Sequence, residues 1–235
     1  MNKVISIIVP VYNEEKHILN TLEELKKTLQ QLEDYEIIVV NDGSTDNTYK
    51  VVAEINGIRV ISYYNNKGKG FALRKGIAQA RGQLVGFIDG DGEISPRFIE
   101  PLYAEIKKGK ADIVVGKKLN LKKNIVRKLF SLAFRVVSFT LFGLSIDTQT
   151  GIKIFNKKVK ALQVQNDSYL FDLELLIACK EKSLRIKEIP VRISTVHKTS
   201  RIGVREALEM FFNLINIKIG RQSCTNQQNY GYYLY

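Results

Sequence analysis

Hydrophobic and polar positions change period repeatedly along the first half of the chain. Val4–Val9 is a continuous apolar run, as in a strand buried on both faces, and Glu14–Leu32 carries Ile18, Leu22, Leu25, Leu29 and Leu32 at helical spacing. The same couplet recurs as strand Glu36–Val40 with helix Asp46–Ile55, and strand Ile58–Tyr63 with helix Phe71–Ala80. Strand Gln83–Ile88 then precedes helix Pro96–Lys107, whose proline sits in the first turn where its missing N–H costs nothing, and strand Asp112–Val115 follows. Such alternation predicts an α/β fold, a central and mostly parallel sheet flanked on both faces by helices. Ligands of these sheets bind beyond the carboxyl ends of the strands. The polar turns at 10–14, 41–46 and 89–93 are expected to converge there.

The second half reads differently. From Ile113 to Ile146 there is no acidic residue, while Lys117, Lys118, Lys122, Lys123, Arg127, Lys128 and Arg135 accumulate, and Leu129–Ile146 is apolar apart from Arg135 and a few small polar residues. Residues 119–142 are expected to form one or two amphipathic helices with a basic start. A short strand (Gly151–Phe155), a helix (Phe171–Lys182) and a strand pair around Arg185–Ile193 follow, then an amphipathic helix, Val204–Ile219, with Leu208, Phe211, Phe212, Ile215 and Ile219 on one side. With no internal repeat and no Pro/Gly/Ser-rich linker, one domain over 1–220 and a polar, tyrosine-rich tail over 221–235 are expected.

Composition narrows the function classes. The 235 residues are 45% hydrophobic and 26% charged, which supports a sizeable core, and 36 Lys plus Arg against 24 Asp plus Glu leave a net charge of +12. That excess calls for an anionic partner: nucleic acid, membrane or phosphorylated substrate. Cys179 and Cys224 form no CxxC, and with two histidines no Cys/His zinc site of ordinary spacing can be assembled, which suits a reducing compartment. The opening MNKVISIIVPVYNEE lacks a small-residue cleavage site and reads as a first strand rather than a signal peptide, and no window of 18 uncharged apolar residues predicts a membrane span.

The chemistry concentrates in the turns. Asp89-Gly90-Asp91-Gly92 leaves an apolar strand directly, and two carboxylates two residues apart can share one hard divalent cation, Mg²⁺ or Mn²⁺, with Glu93 a further oxygen donor on the same turn. The plain alternative is an acidic turn with no ligand. Asp42-Gly43-Ser44-Thr45-Asp46 offers a carboxylate for a nucleobase or ribose and a cap for the next helix, while Pro10-Val11-Tyr12-Asn13-Glu14 offers an aromatic face and a carboxylate. Asn65-Asn66-Lys67-Gly68-Lys69-Gly70 opens a helix as anion-binding loops do, without a P-loop or GxGxxG pattern.

Taken in order, IIVPVYNEE (7–15), EIIVVNDGSTDNT (36–48), NNKGKGFALRKGIAQARG (65–82), LVGFIDGDGEISP (84–96), DIVVGKK (112–118), DTQTGIKIF (147–155), FDLELL (171–176) and EIPVRI (188–193) resemble family 2 glycosyltransferases. Within that family they resemble the polyprenyl-phosphate (dolichyl-phosphate) sugar synthases, of mannose or glucose type. The resemblance implies a GT-A fold, the Rossmann-like sheet of nucleotide-diphospho-sugar transferases, with amphipathic interface helices near 119–142 and 204–219. It places Pro10, Tyr12, Glu14 and Asp42 against the nucleotide, with Lys69, Gly90 and Lys118 also in the nucleotide-sugar site. Asp89 and Asp91 hold metal and diphosphate, with Glu93 where mannosyl-type members usually carry Gln. Lys118 stands where many members have Arg, which keeps the charge but loses the bidentate fork. Ser200-Arg201 resembles a mobile phosphate-contacting loop, and Gln149-x-Gly151 leans to the glucosyl type.

The implied reaction is a metal-dependent, inverting transfer of a sugar from UDP-glucose or GDP-mannose to a polyprenyl phosphate. The acceptor monoester is already an anion at neutral pH, its second pKa being about 6, so it attacks without a strong base. Asp91 is the expected essential metal ligand and Arg201 the expected phosphate contact. Asp172, with Glu174 near it, would orient the acceptor, or serve as base for a hydroxyl acceptor; helix capping and first-turn charge explain Asp172 equally well. His197 is given no role. A basic apolar segment over 119–142 suits an anionic membrane surface, so peripheral attachment at the cytoplasmic face is expected, directly or through a membrane partner or homo-oligomer. A sugar hydroxyl on a glycan is the alternative acceptor, although the Gln-x-x-Arg-Trp signature of processive synthases is absent. Nucleic acid is a remote third reading, because it leaves Asp89 and Asp91 unexplained.

Overall fold

The computed structural model describes residues 4–32, 34–119, 136–146, 148, 150–162, 164–167, 170–194 and 218. By its contacts the chain parts into two compact units, Met1–Leu121 with Ile146–His197, and Lys122–Ser145 with Lys198–Tyr235. In the first unit the strands are β1 (Ile5–Val11), β2 (Tyr35–Asp42), β3 (Ile58–Tyr63), β4 (Leu84–Ile88), β5 (Ile113–Lys118), β6 (Ile152–Asn156) and β7 (Ile186–Val191). Its helices are α1 (Ile18–Leu29), α2 (Thr48–Ala53), α3 (Lys69–Gln79), α4 (Ile99–Lys107, entered through a 3-10 turn at Pro96–Phe98), α5 (Lys157–Lys160) and α6 (Phe171–Glu181).

The strands form one seven-stranded sheet in the order β3-β2-β1-β4-β6-β5-β7. β1 pairs in parallel with β2 and β4, β2 with β3, and β5 with β7, whereas β6 is antiparallel to both β4 and β5. The mostly parallel α/β sheet expected from the sequence is present. Hydrophobic periodicity carries no sign of direction, so the insertion of β6 between β4 and β5 lies beyond it. Because β6 runs backwards, the chain leaves β5 and re-enters β6 at the same edge, the carboxyl end where the acidic turn lies. The strand pair expected around Arg185–Ile193 is corrected to the single strand β7; Ile193 makes only an isolated bridge to Ile94. Pro190 lies within β7, in register with Lys117 of β5, and does not divide the segment.

Strands β1, β2 and β4 are buried almost throughout, and α1 packs Ile18, Leu22, Leu25 and Leu29 into the core, each fully buried. The helix begins at Ile18 rather than Glu14 because the amides of His17 and Ile18 both donate to Glu14 O, closing a turn first. Pro10 is tolerated in a central strand because the β1–β4 ladder stops at Ile8–Phe87, so no partner waits for its missing N–H on that side. In the second unit residues 136–142 are helical, with Val136 and Phe139 more than half exposed. The expected helix over 204–219 lies outside the described residues apart from Lys218, which donates to Leu141 O at 3.0 Å. The tail 221–235 lies outside them entirely. Among the described residues no helix is long and apolar enough to cross a membrane.

Candidate active site

The first two turns are stitched together as well as adjacent. Asn13, at φ 54°, donates its amide to Ser44 Oγ at 3.0 Å and accepts from the Thr45 amide at 2.8 Å, and the Glu14 amide donates to Thr48 Oγ1 at 2.8 Å. Glu15 accepts from the Asn47 amide at 2.9 Å and Asp46 from Thr48 N at 2.9 Å, but the N-cap position of α2 is Asn47 and no side chain caps the helix, so the cap expected in the turn at 42–46 is not found. Pro10 is half-buried at the end of β1, Tyr12 exposes its ring and Glu14 is buried.

Asp42, the last residue of β2, is buried and turned toward the glycine-rich loop, accepting from the amides of Lys67 at 2.8 Å and Gly68 at 2.9 Å. The amides of Gly70 and Phe71 donate to Asp167 O. Several loop amides that the sequence offered to an anion are therefore committed to acceptors of the protein itself. Beside Asp42 lies Tyr63, whose hydroxyl is buried; burial and then the Asp42 carboxylate push the phenol pKa up. No sequence pattern singled out this tyrosine.

The acidic turn follows β4. Asp89 N donates to Gly151 O at 3.0 Å, and the Asp89 carboxylate lies on the open face of Gly151, where an added Cβ would meet Oδ2 at 2.0 Å. Gly90 is equally confined, since a Cβ there would stand 2.5 Å from Val11 Cγ1. Asp91 Oδ1 accepts from the Glu93 amide at 2.9 Å, which folds the turn tightly through Gly92 at φ 71°. The Glu93 side chain pairs with Lys118, Nζ to Oε2 at 2.8 Å, so an expected metal ligand and an expected phosphate contact meet one another. Among the described residues no three His, Cys, Asp or Glu side chains form a preassembled metal cage.

Lys69, the first residue of α3, reaches the acidic turn: its Nζ is 2.6 Å from Asp89 Oδ1 and 3.6 Å from Asp172 Oδ2. Burial alone would depress the Lys69 ammonium, but Asp89 and Asp172 outweigh it and push its pKa up. Asp89 is raised above the usual carboxylate range, chiefly by burial, with Lys69 opposing and the charge of Asp91 adding to the rise. Asp172 sits in the first turn of α6, yet the N-cap position is Leu170 and no side chain caps the helix. Its Oδ1 instead accepts from Lys153 Nζ at 2.5 Å. Lys153 lies on β6 opposite Phe87, is fully buried, also donates to Thr150 O at 2.7 Å, and stands 5.2 Å from the Phe87 ring centre. Sequence reasoning missed Lys153. The usable signal was a lysine amid the apolar residues of a short strand, which demands a buried counter-charge. Glu174 is not part of this group: it clamps the amides of Gln165 and Asn166.

The structure thus brings Asp89, Lys69 and Asp172 together with the unforeseen Lys153. Glu93 and Lys118 form their own pair. Arg201, with Ser200, His197 and Gln149, lies outside the described residues.

The chain has recognisable relatives. Residues 6–158 match the family model described as glycosyl transferase family 2. The chain is 32% identical over 240 residues to a dolichyl-phosphate beta-glucosyltransferase of Trichomonas vaginalis, covering 92% of this chain and 73% of the relative. It is 30% identical over 251 residues to the UDP-N-acetylglucosamine–dolichyl-phosphate N-acetylglucosaminyltransferase of Methanococcus voltae, covering 94% of this chain and 98% of that one. Among solved structures, glucosyl-3-phosphoglycerate synthase from Mycobacterium tuberculosis, in complex with UDP, superposes with a TM-score of 0.75 at 21% identity, over 92% of this chain and 80% of that one. A likeness at that identity speaks for the fold, and the fold is GT-A as expected.

Proposed function

Since the chain belongs to glycosyl transferase family 2 and is a glycosyltransferase, we propose that it moves a sugar from a nucleoside diphosphate sugar to a dolichyl or polyprenyl phosphate, with inversion and with a divalent cation at Asp89 and Asp91. The observation that carries this reading is the placement of those aspartates. They occupy the turn after β4, at the carboxyl end of the sheet, with Lys69 against Asp89. The residues fit such a cation. Both are hard oxygen donors, and a cation already lies against one of them, the Lys69 ammonium 2.6 Å from the buried Asp89 Oδ1. Mg²⁺ and Mn²⁺ are commonly held by one or two carboxylates and substrate phosphates, so the lack of a third carboxylate is no obstacle.

The cation, when bound, offsets the charge that builds on the leaving diphosphate. The protein's own groups do the rest. Lys69 adds a positive charge at the same place, and Pro10, Tyr12, Glu14 and Asp42 bound the nucleotide end. A phosphate oxygen of the acceptor forms the new bond to the anomeric carbon as the bond to the donor's β-phosphate breaks on the opposite face. Such an acceptor asks nothing of Asp172, whose two oxygens already face Lys153 and Lys69. A hydroxyl acceptor would need a base there, so the phosphate reading is favoured. The relatives named above support a dolichyl-phosphate acceptor, and their names favour glucose or N-acetylglucosamine, hence a UDP-sugar, over GDP-mannose. Attachment is peripheral, through the basic stretch at 119–142 and the helix expected at 204–219, on an anionic leaflet.

The test incubates the protein with UDP-glucose, UDP-N-acetylglucosamine or GDP-mannose, a polyprenyl phosphate, and Mg²⁺ or Mn²⁺. A lipid-linked sugar is expected with a UDP-sugar, lost on chelation and restored by the cation. Binding of nucleotide sugar with no lipid-linked product would overturn the acceptor assignment. Asp91→Ala is expected to reduce transfer by about 10³-fold or more with an unchanged melting temperature, because Asp91 stands on a half-exposed turn. Retained activity in that variant would remove Asp91 from the cation site.

A further inference from the structure

The cation proposed at Asp89 has a competitor already in place. Lys69 Nζ lies 2.6 Å from Asp89 Oδ1, and any ion taking that oxygen must displace it. An ammonium on a flexible four-carbon stem can swing to solvent or to another anion. The nearest alternative is Asp172 Oδ2, 3.6 Å away, within reach of a small change in the Lys69 side chain. Asp172 itself is anchored: it is 4% exposed, and Lys153 Nζ grips its other oxygen at 2.5 Å from a fully buried position. A lysine on a central strand carries a desolvation cost of several kcal/mol unless paired, and this one is spent on a carboxylate whose other oxygen faces a second ammonium.

We propose that Lys69 is the resident cation of the acidic turn, and that Asp172, pinned by Lys153, is its second station. When Asp89 Oδ1 is given over to a divalent cation, Lys69 shifts to Asp172 Oδ2 and remains beside the donor diphosphate instead of leaving the site. Asp172 and Lys153 are then positioning residues that act through Lys69, rather than an acid–base pair. This rests on Asp89 being a cation ligand, as proposed above.

The experiment measures Mn²⁺ binding to the full chain without nucleotide, by loss of the free-ion EPR signal. Lys69→Met removes the competitor, so Mn²⁺ is expected to bind roughly three- to tenfold more tightly. The double variant Lys153→Met with Asp172→Asn leaves the net charge unchanged but removes the second station. Lys69 then stays on Asp89, and Mn²⁺ is expected to bind about threefold more weakly. In the Lys69→Met background the same pair of changes is expected to have no effect, the non-additivity that marks coupled residues. An equal loss in both backgrounds, or no loss in either, overturns the second station. If the double variant does not fold, Lys69→Met decides alone, since its side chain is not part of the buried pair. Mn²⁺ binding by the unaltered protein that is indifferent to Lys69→Met overturns the exchange while leaving the cation site intact. No Mn²⁺ binding by any variant, with or without UDP, overturns the cation reading and the exchange together.

Discussion

Gly151 decides where Asp89 can be. With no side chain at 151, the Asp89 carboxylate lies against the backbone immediately before β6; a methyl group would stand 2.0 Å from Oδ2 and 2.4 Å from Cγ. Neither the carboxylate nor the strand can give way cheaply, because Asp89 N is also tied to Gly151 O. Gly151→Ala is therefore expected to push the carboxylate out of register with Lys69 and Asp91. A displacement of about 1 Å at a reacting centre costs on the order of 10²-fold in rate, whereas overpacking costs stability about 1–3 kcal/mol. Transfer assays beside thermal melts should show a large loss of kcat in a protein that still folds. Near-normal turnover would mean that Asp89 does not need this seat. The glycine was visible in the sequence as part of Gln149-x-Gly151, but its purpose was not. The contact joins residues 62 positions apart through a strand whose direction periodicity does not reveal.

Elements show the same boundary between what local pattern specifies and what it does not. Strands β1 to β5 and helices α1 to α4 follow from runs of apolar residues and their spacing, and the convergence of turns followed from strand order in parallel sheets. β6 was legible as a strand, but its antiparallel insertion was not, and with it went the position of Lys153. The acidic Asp112 illustrates a second blind spot. The sequence makes it the polar first residue of a strand, Asp112–Val115; it is instead buried just ahead of β5 and ties three strands at one end. It accepts from Arg185 N at 3.0 Å and Nε at 3.1 Å ahead of β7, and from Asn156 Nδ2 at 3.0 Å at the end of β6. The Arg185 guanidinium, foremost among these donors, holds the Asp112 carboxyl well below the usual carboxylate range. Because the folded value lies below the unfolded one of about 3.9, this stabilisation is complete above that pH and fades as pH falls below it. Asp112→Asn should cost about 1–3 kcal/mol at pH 7, and the gap from the unaltered protein should narrow in urea titrations run below about pH 4. A gap constant down to pH 2 would show that the ionised form of Asp112 is not what holds the strands.

Charge is arranged at the scale of the whole chain. The net +12 is drawn from sequence that is unevenly loaded: the carboxylates of the candidate site belong to the first unit, whereas residues 113–146 contain no acid. In the second unit the helical stretch 136–142 leaves Val136 at 55% and Phe139 at 59% exposure, one helical turn apart. Two exposed apolar side chains that follow a lysine- and arginine-rich stretch of sequence suit the proposed membrane interface, where the rings and branches would enter the headgroup region and the cations would meet anionic lipid. On the proposed function, such a placement would confine the enzyme to the plane of its lipid-phosphate substrate. Sedimentation with vesicles containing phosphatidylserine should therefore capture the protein, and capture should weaken as salt rises, each basic residue near the surface contributing about 1 kcal/mol at physiological ionic strength. Phe139→Asp loses apolar burial and adds repulsion, and is expected to lower partitioning by about tenfold or more. Transfer to a short, water-soluble polyprenyl phosphate should be unaffected by it. Binding to neutral vesicles as strong as to anionic ones would set the basic stretch aside and leave the apolar face to act alone. Loss of transfer to the soluble acceptor would place Phe139 in the catalytic machinery instead of at the surface.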